Sequence, residues 1–194
     1  MKVAIVRYNA GNTASVVNAL CRLGVEPLIT DSAEELSAAD KVIFPGVGEA
    51  SSAMSYLKER RLDEVIRGLR QPILGICLGM QLLCASSEEN ETECLGIVPL
   101  RVRRISAGGL KVPHMGWNTI SNLKGKLFAG IEEAAYVYFV HGYYVESGPE
   151  AVANSTYGLD FAAALEHENF FAVQFHPERS GAVGEQILRN FLKL

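Results

Sequence analysis

Short apolar runs alternate with amphipathic stretches through the first half of the chain. Val3-Ala4-Ile5-Val6, set between Lys2 and Arg7, predicts an apolar strand over 2–6. Gly11-Asn12-Thr13 then opens a helix that carries Val16, Val17, Leu20 and Leu23 and closes at Gly24. A strand over 26–30, a short helix after Asp31-Ser32 and a strand over Lys41-Val42-Ile43-Phe44 follow, the last ending at Pro45-Gly46. Helical patterns over 51–60 and 62–70 lead into an apolar strand over 72–76, and a helix-compatible run continues from Leu78 to Cys84. Alternation of this kind implies a parallel sheet with right-handed crossovers and helices on both faces. Such sheets bind ligands beyond the carboxyl ends of their strands. Pro45-Gly46-Val47-Gly48 and Cys77 both fall at such ends.

The second half changes character. Leu100 to Ile105 alternates apolar and polar positions, and Tyr136 to Val140 does so in part. Ala151-Val152-Ala153, Phe161 to Ala164 and Phe170 to Phe175 add further short strands. A last helix over 181–193 places Ile187, Leu188, Phe191 and Leu192 on one face. The expected fold class is α/β, with a mostly parallel, flavodoxin-like central sheet flanked by helices and an antiparallel strand block added in the second half. No repeat, low-complexity tract or linker divides the sequence, so residues 1–194 are expected to form one domain.

Composition narrows the partners more than the fold. A chain of 194 residues, 48% hydrophobic and 21% charged, has the make-up of a soluble globular protein. A net charge of −4 argues against nucleic acid or an anionic membrane as partner. No apolar run approaches the ~18–20 residues of a membrane span, and Met1 to Arg7 is too short for a secretory signal, so a cytoplasmic location is expected. The four cysteines match no C-x-x-C or zinc spacing. His114, His141, His167 and His176 show no His-x3-His pairing, and neither metal nor cofactor is expected.

The chemistry is concentrated at three strand ends. Cys77 sits between Gly75 and Gly79, a spacing that leaves room for a sharp strand-to-helix turn, the sulfur counterpart of the G-x-S-x-G elbow. A helix N-terminus behind the sulfur favours the thiolate, the reactive form. His176-Pro177-Glu178 follows an apolar strand; in an extended segment residues two apart share a side, which brings Glu178 to the imidazole. A carboxylate on one ring nitrogen fixes the tautomer and leaves the other nitrogen to exchange a proton with a thiol. In Pro45-Gly46-Val47-Gly48 the glycines permit peptide orientations that aim backbone N–H groups of Val47 and Gly48 at an oxyanion, with the amide of Leu78 as a further donor.

Together these three motifs resemble the class I (triad) glutamine amidotransferases, in order and spacing, across almost the whole chain. Val112-Pro113-His114-Met115-Gly116-Trp117-Asn118 and Tyr138 to Tyr144 are similar, within that class, to the glutaminase subunits of imidazole glycerol phosphate synthases. Val47 is so too, where other members usually carry a second glycine. The resemblance implies that Cys77 attacks the side-chain amide of L-glutamine, with His176 as acid and base and Glu178 orienting it. It implies that Gly46, Gln81 and Glu89 (or Glu88, one register away) hold the substrate, and that Gly142 and Tyr143 line its other side. It implies a heterodimer with a separate (β/α)8-barrel cyclase, HisF, which uses the ammonia to form imidazole glycerol phosphate for histidine biosynthesis. Pro113, His114, Met115, Trp117, Asn118, His141 and Arg179 would face or approach that partner. Two departures stand out: Gly142 replaces a usual Ser or Thr, and Arg179 a usual Lys, which differs in hydrogen-bonding geometry. The rival readings are a glutaminase serving another acceptor and a non-catalytic binding module of the same fold.

Overall fold

In the computed structural model, which describes residues 1–106 and 108–194, every apolar run of the first half becomes a strand or one face of a helix. The strands and helices alternate as β1 (Val3–Val6), α1 (Thr13–Arg22), β2 (Leu28–Thr30), α2 (Ala33–Ser37), β3 (Lys41–Phe44), α3 (Ala50–Glu59), α4 (Leu62–Gly68), β4 (Ile73–Ile76) and α5 (Leu78–Leu83). β5 (Cys84–Ser87), β6 (Thr92–Glu93), β7 (Val98–Arg104), β8 (His114–Thr119), β9 (Tyr136–His141), β10 (Tyr143–Val145), β11 (Ala151–Thr156), β12 (Asp160–His167), β13 (Phe170–Val173) and α6 (Gly181–Leu192) complete the order. One 11-stranded sheet runs β2-β1-β3-β4-β13-β12-β10-β7-β5-β6, with β11 on β12, while β8 and β9 form a separate pair.

From β2 to β13 the sheet is parallel. The uninterrupted apolar runs follow from burial on both faces. Ala4, Val6, Val42 and Phe44 point into a core shared with Leu36, Leu57 and Ile66 of α2–α4. Val3, Ile5 and Ile43 point into the opposite core with Val16 and Leu20 of α1 and Ile187 and Phe191 of α6. Each fully buried Val, Leu, Ile or Phe among them contributes about 1.5–3 kcal/mol. Antiparallel pairing enters at β12 and continues through β11 and the β10–β7 pair. The β8–β9 pair packs Val137 and Phe139 on the second core beside Phe161 and Phe175.

Two of the expected strands are shorter than the pattern-based reading, and β5, β6, β8 and β10 are strands it did not include. The strand expected over 26–30 shortens to Leu28–Thr30, because Pro27 has no N–H to donate to β1. The segment expected as a strand through Phe175 ends at Val173, where the chain turns out of the sheet towards His176. The four cysteines are all free thiols. Among the described residues no helix is long and apolar enough to cross a membrane.

Candidate active site

β4 delivers Cys77 to the first turn of α5. The Cys77 amide donates to Val173 O at 2.8 Å, continuing the β4–β13 ladder by one residue, and the chain then breaks sharply into the helix. Cys77 takes φ 52° and ψ −106°, a left-handed strain that marks an over-determined position. The turn is possible because α5 lies against β3: a Cβ on Gly79 would stand 1.8 Å from Phe44 O. Gly46 is equally confined, since a Cβ there would meet the Tyr8 hydroxyl at 2.1 Å, and that hydroxyl donates to Pro45 O at 2.6 Å. The Cys77 thiol donates to Val140 O at 3.7 Å, and Gln174 Nε2 donates to the sulfur at 3.6 Å.

The segment after β13 brings His176 to the same place. Its amide donates to Tyr138 O at 2.9 Å, and Ser180 Oγ accepts from the Tyr138 amide at 3.0 Å, so β9 and this turn are tied together. His176 Nδ1 and Glu178 Oε1 are 2.7 Å apart. The contact is the expected one but its cause differs: Pro177–Arg179 is a turn of 3-10 helix, with Pro177 at its start, and the tight turn rather than an extended strand folds Glu178 back on the ring. Burial draws the His176 pKa down, but hydrogen bonds with Cys77 and Glu178 and the charges of both raise it, to about 10.

Asn12, whose sequence context marked only a helix start, is the further member of this cluster. It sits in the left-handed region (φ 73°) just before α1, a conformation that Asn tolerates. Its Nδ2 donates to Glu178 Oε1 at 2.5 Å and lies 3.4 Å from His176 Nδ1. Tyr8 belongs to no motif, and Gln174, the first residue of the Gln174-Phe175-His176-Pro177-Glu178 motif, carried no role of its own in the sequence reading.

A cavity of about 240 Å³ opens on Cys77. That is below the ~300–1,000 Å³ of drug-sized ligand sites and suits a single amino acid. Val47, Gly48 and Leu78 form one side, and Gln81 and Glu89 another, while His141, Gly142 and Tyr143 close the third. Gln81 Nε2 donates to Tyr143 O at 3.1 Å and to Gln174 Oε1 at 3.0 Å. The two neighbouring carboxylates of the acidic loop have different partners. Glu88 turns to Arg103 (2.9 Å) and the Arg104 amide (2.8 Å). Glu89 lines the cavity and accepts from the Ala50 amide of α3 at 2.7 Å. Burial raises the Glu89 pKa against the lowering effect of that N–H.

A second cavity of about 220 Å³ lies beyond Val47 and Val140, which line both, and is bordered by Asn12, His176 and Arg179. Leu78 N–H donates to Gly46 O at 3.2 Å, so one expected oxyanion donor is already engaged. Because C=O and N–H oppose each other across a trans peptide, the Val47 N–H points away from Leu78. The Val47 carbonyl accepts from the Gly11 amide at 3.3 Å. The three donors expected to converge thus do not converge in this conformation.

The residues expected at a partner face divide in two. Met115 (63% exposed), Trp117 (55%), Pro113 and Arg179 are open to solvent, and Asn118 is half-buried. His114 and His141, at 3% and 4%, are not surface residues. The alternation of β8 and β9 turns both inward, where the His114 ring stacks between Tyr157 and Phe139. Burial lowers their pKa values to about 4 for His114 and about 3 for His141.

A cysteine elbow with a His–Glu pair on an open parallel sheet defines a hydrolase of the amidotransferase type. Residues 4–194 match the family model described as glutamine amidotransferase class-I, and the chain belongs to that family of glutamine-hydrolysing enzymes. It is 57% identical over 196 aligned positions to imidazole glycerol phosphate synthase subunit HisH of Bacteroides fragilis strain YCH46, covering 100% of both chains. The subunit HisH of Yersinia pseudotuberculosis is 47% identical, again over 100% of each. A crystal structure of a glutamine amidotransferase shares the fold at TM-score 0.77 and 21% identity, covering 100% of this chain and 98% of that one.

Proposed function

We propose that this chain is the glutaminase subunit of an imidazole glycerol phosphate synthase, in which residues 1–194 act as one domain. The observation that carries the reading is a single cavity walled by Cys77, Leu78, Gln81, Glu89 and Tyr143, with the His176–Glu178 pair beside the sulfur. The Cys77 thiolate attacks the side-chain amide carbon of glutamine. His176 gives its proton to the departing nitrogen, which leaves as ammonia, and a glutamyl thioester remains. A water molecule, losing its proton to His176, adds to the thioester carbon; the C–S bond breaks, glutamate departs and the thiol is restored. Glu178 holds the imidazole in orientation and stabilises its charged form without itself taking the proton. Asn12 fixes the Glu178 carboxylate.

Ammonia passes on the Val47–Val140 side to a cytoplasmic partner subunit, a (β/α)8-barrel cyclase of the HisF type, where the lyase chemistry of histidine biosynthesis occurs. The engaged Leu78 amide and the reversed Val47 N–H support a gated reading: the Gly46–Val47 peptide must turn over before the oxyanion is stabilised. One missing oxyanion donor costs about 10²–10³ in kcat, so the cyclase and its nucleotide are expected to raise glutamine turnover by about that factor. Ammonia release measured with and without the cyclase tests this, and equal rates would remove the gate. Cys77→Ala is expected to lower the activated rate by at least about 10³-fold. Full activity in that variant would overturn the triad assignment.

A further inference from the structure

The two buried histidines have a role that exposure to a partner cannot supply. Asn118 Oδ1 accepts from the Thr119 amide at 2.8 Å, which fixes its amide so that Nδ2 is the donor end. That Nδ2 lies 2.9 Å from Thr156 O and 3.4 Å from His114 Nε2. His114 Nε2 is therefore an acceptor, and the ring proton sits on Nδ1, 3.0 Å from His141 Nε2. His141 in turn carries its proton on Nδ1, 2.7 Å from Tyr143 O, which as a carbonyl only accepts. An obligate donor at one end and an obligate acceptor at the other leave one proton arrangement, with both rings neutral. Their lowered pKa values agree with it.

The chain does not stop at Tyr143. Gln81 Nε2 donates to that same carbonyl and to Gln174 Oε1, so both of its N–H bonds are committed and its own carbonyl oxygen is the remaining polar atom. Gln174 Nε2 reaches the Cys77 sulfur. Stacking of His114 on Tyr157 at 4.0 Å, nearly parallel (16°), holds the first ring from its face while the hydrogen bonds hold its edge. The outer end is β8, whose alternate residues Met115 and Trp117 are solvent-exposed.

We infer that His114 and His141 are positioning residues: a one-directional hydrogen-bond chain through them ties the exposed strand β8 to the Tyr143 carbonyl and thence to Gln81 in the glutamine pocket. Movement of β8 on partner docking reaches the substrate wall by this route, separately from the Gly46–Val47 peptide. The inference deepens the glutaminase reading and rests on it for its kinetic consequence.

Two measurements test it. Nitrogen NMR of the labelled chain between pH 6 and 8 is expected to show both rings as neutral Nδ1–H tautomers; an imidazolium or an Nε2–H form at either ring overturns the chain. In the complex with the cyclase, His114→Phe keeps the stacking and removes both hydrogen bonds. It is expected to raise KM for glutamine by about 3- to 10-fold, the range of one neutral hydrogen bond, with a smaller change in kcat. His114→Asn retains a donor where Nδ1 stood and is expected to return KM to within about 2-fold of wild type. Unchanged kinetics in His114→Phe, equal losses in both variants, or a loss confined to kcat would overturn the positioning role. Should His114→Phe not fold, Asn118→Leu, which removes the outer donor at a half-buried position, is read by the same KM criterion. Absence of Cys77-dependent hydrolysis in the wild-type complex would instead sink the glutaminase reading, and the NMR result would still decide the chain.

Discussion

Asn12 shows how much of the site depends on residues that no motif marks. Its amide donates to a carboxylate whose side chain is wholly buried, next to the imidazole that the same carboxylate orients. Hydrogen bonds to charged groups contribute about 1.5–3 kcal/mol, so Asn12→Ala is expected to lower kcat/KM for glutamine by about 10- to 100-fold, measured by coupled glutamate detection in the activated complex. At His176 the sign of the pH effect follows from its neighbours. Burial lowers its pKa, whereas hydrogen bonding and charge from Cys77 and Glu178 raise it to about 10. A folded-state value above the unfolded one gives stability that is full below the ordinary ~6.5 of histidine and is lost as pH climbs towards about 10. Cys77→Ala removes one of the raising partners, so the His176 titration followed by NMR is expected to move down; an unmoved titration would assign the whole rise to Glu178. Cys77, His176 and Glu178 were legible as a candidate cluster because each stands at or just past a strand end with Gly or Pro within two residues. Asn12 was not, because its partners are 164 and 166 residues away.

At the scale of elements, the elbow between β4 and α5 is both strained and closely confined. A methyl group at Gly79 would overlap the Phe44 carbonyl, which belongs to a fully buried strand that cannot retreat. Gly79→Ala is therefore expected to destabilise the chain by about 1–3 kcal/mol, the cost of overpacking, in a denaturant titration. The same substitution shifts Leu78 and Cys77 with the helix start, so turnover is expected to fall further than stability alone accounts for. The parallel half of the sheet was legible because its strands are buried on both faces and read as apolar runs. β8 was not read as a strand: His114-Met115-Gly116-Trp117-Asn118-Thr119 alternates by burial rather than by hydropathy, with the histidine inside and the apolar side chains outside. The resemblance, which speaks of segments and not of which way each side chain points, put His114 and His141 at a partner face. What turns them inward is the pairing of β8 with β9, and their polarity is accommodated by each other and by Tyr143, a contact that exists only after folding.

At the scale of the whole molecule, several exposed features gather around one opening. Val47, Val140 and Arg179 border the cavity beyond Cys77, Met115 stands opposite Val140 in the β8–β9 register, and Trp117 reaches the start of α6 just past Arg179. Trp117 packs edge-on to Tyr138 at 5.9 Å yet remains 55% exposed, and Met115 remains 63% exposed. Large exposed apolar side chains grouped round an opening mark an interaction face. A partner docked there would cover the opening through which ammonia is proposed to leave, which would link the docking geometry to the chemistry. Tryptophan anchors at interface centres contribute 2 kcal/mol or more on truncation. Trp117→Ala is therefore expected to weaken binding of the proposed cyclase partner by about 30-fold or more, measured by titration calorimetry, with little change in the melting temperature of the chain alone because the side chain adds little to the core. An unchanged affinity would move the docking face elsewhere. A large fall in melting temperature would make Trp117 part of the fold, and the covering of the Val47–Val140 opening would then need another anchor.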